Sequence, residues 1–100
     1  MIVLSEFELA GALTSQAKLS ITDAGVTTYT IPAGKLGVTF QNQGTGAVWY
    51  GSSDISPANN KGVYLLPNQT LTFKSVKRTF TISFITAAGV TGTIGVNEVD

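Results

Sequence analysis

Residues 39–66 read TFQNQGTGAVWYGSSDISPANNKGVYLL, short apolar runs separated by turns built from Gly, Asn, Ser and Asp. Gly and Asn supply the positive-φ positions of tight turns, while Val, Tyr, Trp and Phe fill pleated surfaces. The run Asn42-Gln43-Gly44-Thr45-Gly46 predicts a hairpin connection between a strand ending near Gln41 and a strand over 47–50. Residues 51–61, GSSDISPANNK, read as a surface loop, because Ser, Asp, Asn and Pro favour local turn chemistry over a ladder. A short strand returns over 62–66.

The same period of two extends outward in both directions. Towards the amino terminus, Leu36, Val38 and Phe40 share a face, as do Thr27, Tyr29 and Ile31, and Ala17, Leu19 and Ile21. Asp23-Ala24-Gly25 and Pro32-Ala33-Gly34 interrupt these runs as turns. Towards the carboxyl terminus, Pro67-Asn68 turns into a strand with Leu71 and Phe73 inward, and Val76-Lys77 makes a corner. Residues 78–86 alternate most regularly, with Phe80, Ile82 and Phe84 opposite Thr79, Thr81 and Ser83. In the last strand Val90, Ile94 and Val96 oppose Thr91, Thr93 and Asn97, and Gly92 and Gly95 imply a bulge or a close backbone approach.

Seven or eight short strands, with turns about every ten residues, predict an all-β fold: a single antiparallel β-sandwich of jelly-roll kind over residues 14–100. Residues 1–13, MIVLSEFELAGAL, form an extended N-terminal arm or an edge strand. Their apolar positions fit a first strand, a short helix or an arm lying on a neighbouring subunit, and periodicity does not separate these.

Composition narrows the function classes. The 100 residues suffice for one independent core, and they include 43% apolar but only 12% charged side chains. That is about half the usual charged share, so the surface is expected to carry Thr, Ser, Asn, Gln and Gly instead. Six basic residues balance six acidic ones, so neither nucleic acid nor an anionic membrane is an expected partner. A weakly charged surface repels its own copies poorly, which suits packing within an assembly. The amino-terminal run lacks a basic leader, and Glu6 and Glu8 interrupt it, so the chain is read as unprocessed and without a membrane anchor.

No Cys or His is present, which removes thiolate chemistry, imidazole bases and soft metal ligands. Of the acids, Glu6 and Glu8 lie near one terminus, Glu98 and Asp100 near the other, and Asp23 and Asp54 in turns. They read as turn formers and solvated end charges rather than as the paired carboxylates of a glycosidase. Asp54 fits an Asx turn better than a calcium loop, and Gly44 and Gly46 lead into no helix, so they cradle no phosphate. Lys74, Lys77 and Arg78 read as a solvated corner that blunts strand pairing. No catalytic residue, metal ligand or cofactor is expected, and the chain is not read as an enzyme. Trp49 and Tyr50 are adjacent on one strand and must point to opposite faces, so one of them turns outward beside the 51–61 loop.

Asn42, Tyr50, Gly51, Ser53, Asp54, Ile55, Gly62, Leu65, Pro67 and Asn68 follow one another as a strand ending in an Asn-rich turn, an aromatic strand meeting G-S-x-D-I, and a G-x-x-L-x-P-N corner. With the Phe- and Thr-rich strand and the closing AAGVTGTIGVNEVD, this succession resembles small β-sandwich modules in the structural proteins of tailed bacteriophages, from residue 35 onward. The resemblance implies a virion component assembled in the host cytoplasm. Decoration (cement) proteins of the capsid and modules of head or tail fibres are the two types implied. A hundred residues without fibrous repeats or heptads suit the former, which is often a homotrimer bridging copies of the major capsid protein. Ile2, Val3, Leu4, Phe7 and Leu9 are then the expected contact with the capsid or another virion protein. No binding residue of the family carries over to this chain. The alternative is a fibre module that binds a host receptor or surface carbohydrate through Trp49, Tyr50 and the 51–61 loop.

Overall fold

The computed structural model describes residues 13–100; residues 1–12, and with them the expected contact of Ile2, Val3, Leu4, Phe7 and Leu9, lie outside the described residues. Eight strands follow in order: β1 (Leu13–Ile21), β2 (Thr27–Ile31), β3 (Gly37–Asn42), β4 (Val48–Gly51), β5 (Val63–Leu65), β6 (Thr70–Lys74), β7 (Phe80–Ile85) and β8 (Gly92–Val99). They form two antiparallel four-stranded sheets, ordered β1-β8-β3-β6 and β2-β7-β4-β5. The pairings β1 with β8, β2 with β7, β3 with β6 and β4 with β5 are those of one long hairpin rolled up on itself. This is the eight-stranded jelly roll. The pairings β3 with β8 and β4 with β7 complete the two sheets.

In this topology every connection except β4 to β5 crosses from one sheet to the other. The turn at Asn42–Gly46 is therefore a crossing, not the hairpin that its composition suggests. Its geometry is set by the side chain of Asn42, which is fully buried. The Asn42 amide donates to the carbonyls of Gly46 and Leu65, each at 2.8 Å, and its Oδ1 accepts from the Gly44 N–H at 3.0 Å. The Asn42 backbone bonds the next crossing as well: its N–H donates to Gln69 and its carbonyl accepts from Asn68. One residue thus ties β3, the β3–β4 crossing and the β5–β6 crossing.

The crossings define two ends. At one, the loops 32–36 and 75–79 bond each other through Gly34 to Val76, Ser75 to Leu36 and Val76 to Lys35. Both chain termini of the sandwich lie there, since Leu13 pairs with Val99 and the Leu36 N–H donates to the Val99 carbonyl. At the opposite end lie the Asn42 crossing and the loops 22–26 and 86–91.

The inward-facing alternation puts Phe40 at the centre of the core. Its ring meets Tyr29, Phe73 and Phe84 at centroid distances of 5.5, 6.1 and 5.3 Å, so it contacts aromatic residues of both sheets. Ile21, Ile31, Val38, Val48, Ile82, Ile94 and Val96 complete the buried cluster. The sheets leave no room for a side chain at Gly92: a Cβ there would lie 2.6 Å from Val48 Cγ2 and 3.3 Å from Thr86 Cγ2. Gly92 thus marks a close approach, whereas the bulge lies in β1 between Leu13 and Ser15. Two strand boundaries also differ from the sequence pattern. β7 begins at Phe80 rather than Arg78, because the Thr79 hydroxyl accepts from the Ala33 N–H in the crossing. Leu36 precedes β3 and is exposed rather than inward.

Asn42→Ala removes all three side-chain bonds and leaves buried backbone groups unpaired, so it is expected to cost about 2–4 kcal/mol. Urea unfolding followed by circular dichroism measures this. Asn97→Ala, on the outer face of β8, is expected to change stability by less than about 0.5 kcal/mol.

Candidate functional site

Two places gather polar or aromatic side chains beyond the needs of a core. The first is at the terminal end. Glu98, expected as a solvated end charge, is instead buried, because its position on β8 shares the inward face with Ile94 and Val96. It accepts a short hydrogen bond from the Tyr29 hydroxyl on the opposite sheet. Lys35, in the β2–β3 crossing, lies 3.4 Å from Glu98 and 2.8 Å from Asp100. Burial of the phenol, then the hydrogen bond to Glu98 and its charge, push the Tyr29 hydroxyl from 10.0 up to about 12. The hydrogen bond to Asp100, assisted by Glu98, holds the Lys35 ammonium above its ordinary value. Two carboxylates meet here, with the lysine ammonium bridging them. The arrangement clamps one sheet to the other.

The second place is the outer face of the β2-β7-β4-β5 sheet. Tyr50 packs against the core cluster, so it is not an outward contact. Trp49 points the other way by strand alternation. Its register partners are Tyr64 on β5 and Ile85 on β7. The Trp49 and Tyr64 rings stack at 5.2 Å, with 54° between their planes, and Tyr64 is 51% exposed. Tyr64 is the aromatic that pairing brings to Trp49. Its match with Trp49 across a hairpin of β4 and β5 was readable only once that hairpin's register was known.

The connection between β4 and β5 folds back over this face rather than projecting as an open loop. Ile55 anchors it: a Cβ at Gly51 would lie 2.5 Å from Ile55 Cγ2, and one at Gly62 would lie 3.1 Å from the same atom and 3.0 Å from the Tyr50 carbonyl. Gly62 also adopts φ +113, open to few other residues. The spacing G-S-S-D-I followed by Gly62 is thus a socket for one isoleucine. Ser56 and Lys61 exchange backbone bonds at 3.0 and 2.9 Å across a 3₁₀ turn at Pro57–Asn59, which Asn60 closes at φ 56. Asp54 accepts from the Ser52 hydroxyl and lies 3.9 Å from Lys61. The Ser52 bond, more than Lys61, holds the Asp54 carboxyl below its ordinary value. Asp54 is a turn residue, as its sequence setting implies.

Between this folded-back segment and the end of β7 runs a shallow, open groove of about 220 Å³. Ile55, Pro57 and Ala58 form one wall, and Ile85 and Ala87 the other. Asp23, Ser56 and Thr86 contribute polar groups. Ile85 belongs to both the groove and the row that contains Trp49 and Tyr64. Elsewhere threonine hydroxyls pair across strands: Thr39 with Thr72 at 3.2 Å on one sheet, and Thr30 with Thr81 at 3.4 Å on the other. Among the described residues, no three His, Cys, Asp or Glu side chains group as a metal site requires. No helix among them is long and apolar enough to cross a membrane.

No protein-family model matches the sequence, and no curated protein matches it. Among solved structures, the chain is similar to a de novo designed double-stranded β-helix determined by NMR in solution. The identity is 13% with a TM-score of 0.62, covering 85% of this chain and 99% of the designed one. At that identity the likeness is one of fold, and it agrees with the rolled hairpin described above.

The terminal clamp is pH-dependent in a definite direction. Both Tyr29 and Lys35 have raised values, so their contribution is complete below the unfolded tyrosine value near pH 10 and is lost as pH rises towards 12. The urea midpoint is expected to fall over that range. Tyr29→Phe should flatten much of the fall and cost about 1–2 kcal/mol at neutral pH.

Proposed function

We propose that the protein is a structural component of a virion, acting as a decoration protein that binds the capsid surface through its terminal end. The observation that carries this reading is a pair of exposed large apolar side chains at that end, beside the charged corner of Lys77 and Arg78. Leu36 and Phe80 are 44% and 37% exposed there, and β1 begins beside them at Leu13. Residues 1–12, with Ile2, Val3, Leu4, Phe7 and Leu9, join the sandwich at this point. The exposed apolar side chains here and the apolar sequence of residues 1–12 together supply the means of such a contact. The weakly charged chain offers little to repel a neighbouring subunit.

Mechanistically the function is additive burial. A standard interface removes about 1,600 Å² of total surface from water, and a partner that binds only the assembled lattice stabilises it by mass action. Repeated over a capsid, modest contacts of this type oppose expansion. The clamp of Tyr29, Glu98 and Lys35 ties the two sheets together at the same end. The resemblance to phage structural modules, many of which are trimers, makes a homotrimer the expected assembly.

Deleting residues 1–10 is expected to abolish co-sedimentation with phage heads while leaving the β-rich circular dichroism unchanged. Leu36→Glu, at an exposed position, should weaken attachment about tenfold without lowering the urea midpoint. Unchanged attachment by both variants would overturn the proposal. Sedimentation velocity of the full chain tests the trimer.

A further inference from the structure

We infer that the groove beside Trp49 and Tyr64 is a binding site for a neutral saccharide. The inference is independent of the virion reading, since the groove lies on a sheet face towards the end opposite the chain termini. Three features select the ligand class. The first is the aromatic pair, partly exposed and adjoining the groove through Ile85. Tilted rings of this kind offer a large apolar contact of low conformational entropy, which matches the C–H face of a pyranose.

The second feature is the polar set. Asp23 accepts from the Gly89 N–H at 2.8 Å, which orients its carboxylate while leaving it further lone pairs. The Thr86 hydroxyl is buried and donates to the Val90 carbonyl, so it holds the groove's end in shape rather than meeting a ligand. The Ser56 hydroxyl accepts from the Asn59 amide at 3.2 Å and keeps its own proton to donate. An accessible acceptor, Asp23, and a donor, Ser56, beside an apolar floor complement a ligand rich in hydroxyl groups.

The third feature is charge. None of the described residues lining the groove is Lys or Arg, and a carboxylate stands at its edge, so phosphates, sulfated glycans and nucleic acid find no counter-charge. A peptide strand is disfavoured at the neighbouring β5 edge. The Leu65 carbonyl already accepts from Asn42, and the Leu66 N–H donates to Gln69 Oε1 at 2.8 Å. The groove is also pre-formed, because Ile55 in its glycine socket fixes one wall.

The test uses the full-length protein. Trp49 is the chain's single tryptophan, so intrinsic tryptophan emission reports on this site alone. Titration with a panel of neutral and acidic oligosaccharides is expected to show a saturable emission change with at least one neutral member. Tyr64→Ala, at an exposed ring, and Ala58→Arg, which fills the groove from an exposed turn, should each weaken that affinity by about tenfold or more. The urea midpoint should hold in both. The inference is overturned if no neutral member alters the emission, if only acidic members bind, or if binding survives both substitutions. Head attachment of the same variants reads the virion proposal separately, and Leu36→Glu should leave the emission titration unchanged.

Discussion

The fold depends on the amide of one fully buried side chain. A rolled hairpin must carry its backbone from one sheet to the other at six of its seven connections, and each crossing strands polar groups near the core. Buried N–H and C=O groups without partners cost about 1–3 kcal/mol each. Asn42 satisfies three such groups, two in the β3–β4 crossing and one at the end of β5, with a single planar amide. No apolar residue does this, and Asp lacks the two donors. A residue that looks like turn punctuation is therefore the point at which β3, β4, β5 and β6 are held in mutual register.

Much of the architecture was legible in the alternation of apolar and polar residues. Ile82 and Phe84, or Val38 and Phe40, read as inward faces because a pleated strand leaves no other choice, whereas Phe80, at the start of its strand, is exposed. What was not legible has a common cause. Gly and Asn favour tight turns whether the flanking strands pair with each other or separate into different sheets, so the Asn42–Gly46 crossing resembles a hairpin from its composition. Glu98 resembles a terminal charge for a similar reason: nothing local shows that Tyr29 and Lys35, more than sixty residues away, arrive beside it. At the candidate site, alternation required one of Trp49 and Tyr50 to face outward. Only the β4–β7 and β4–β5 registers decided that it is Trp49 and supplied Tyr64 as its neighbour. The role of Gly51 and Gly62 was hidden likewise, since a socket is visible only with the side chain that fills it.

The two ends of the sandwich differ in chemistry. The terminal end combines an ionic clamp with exposed Leu36 and Phe80, and the opposite end carries the Asn42 crossing and the groove. One long direction thus separates the proposed protein contact from the proposed saccharide contact. A jelly roll permits this because its strands are short and its loops cluster at two poles, each of which varies without disturbing the core.

The pairing of β1 with β8 has a mechanical consequence. Among the described strands, β1 is an edge strand held by β8 through eight register pairs from Leu13 to Ile21. Tension applied through the amino terminus along the strand axis shears β1 against β8, so the ladder bears the load as a group. Tension applied sideways peels the pairs apart one after another, starting at the bulge between Leu13 and Ser15. The molecule is therefore an anisotropic fastener: resistant to a pull along its length and weak to a pull across it.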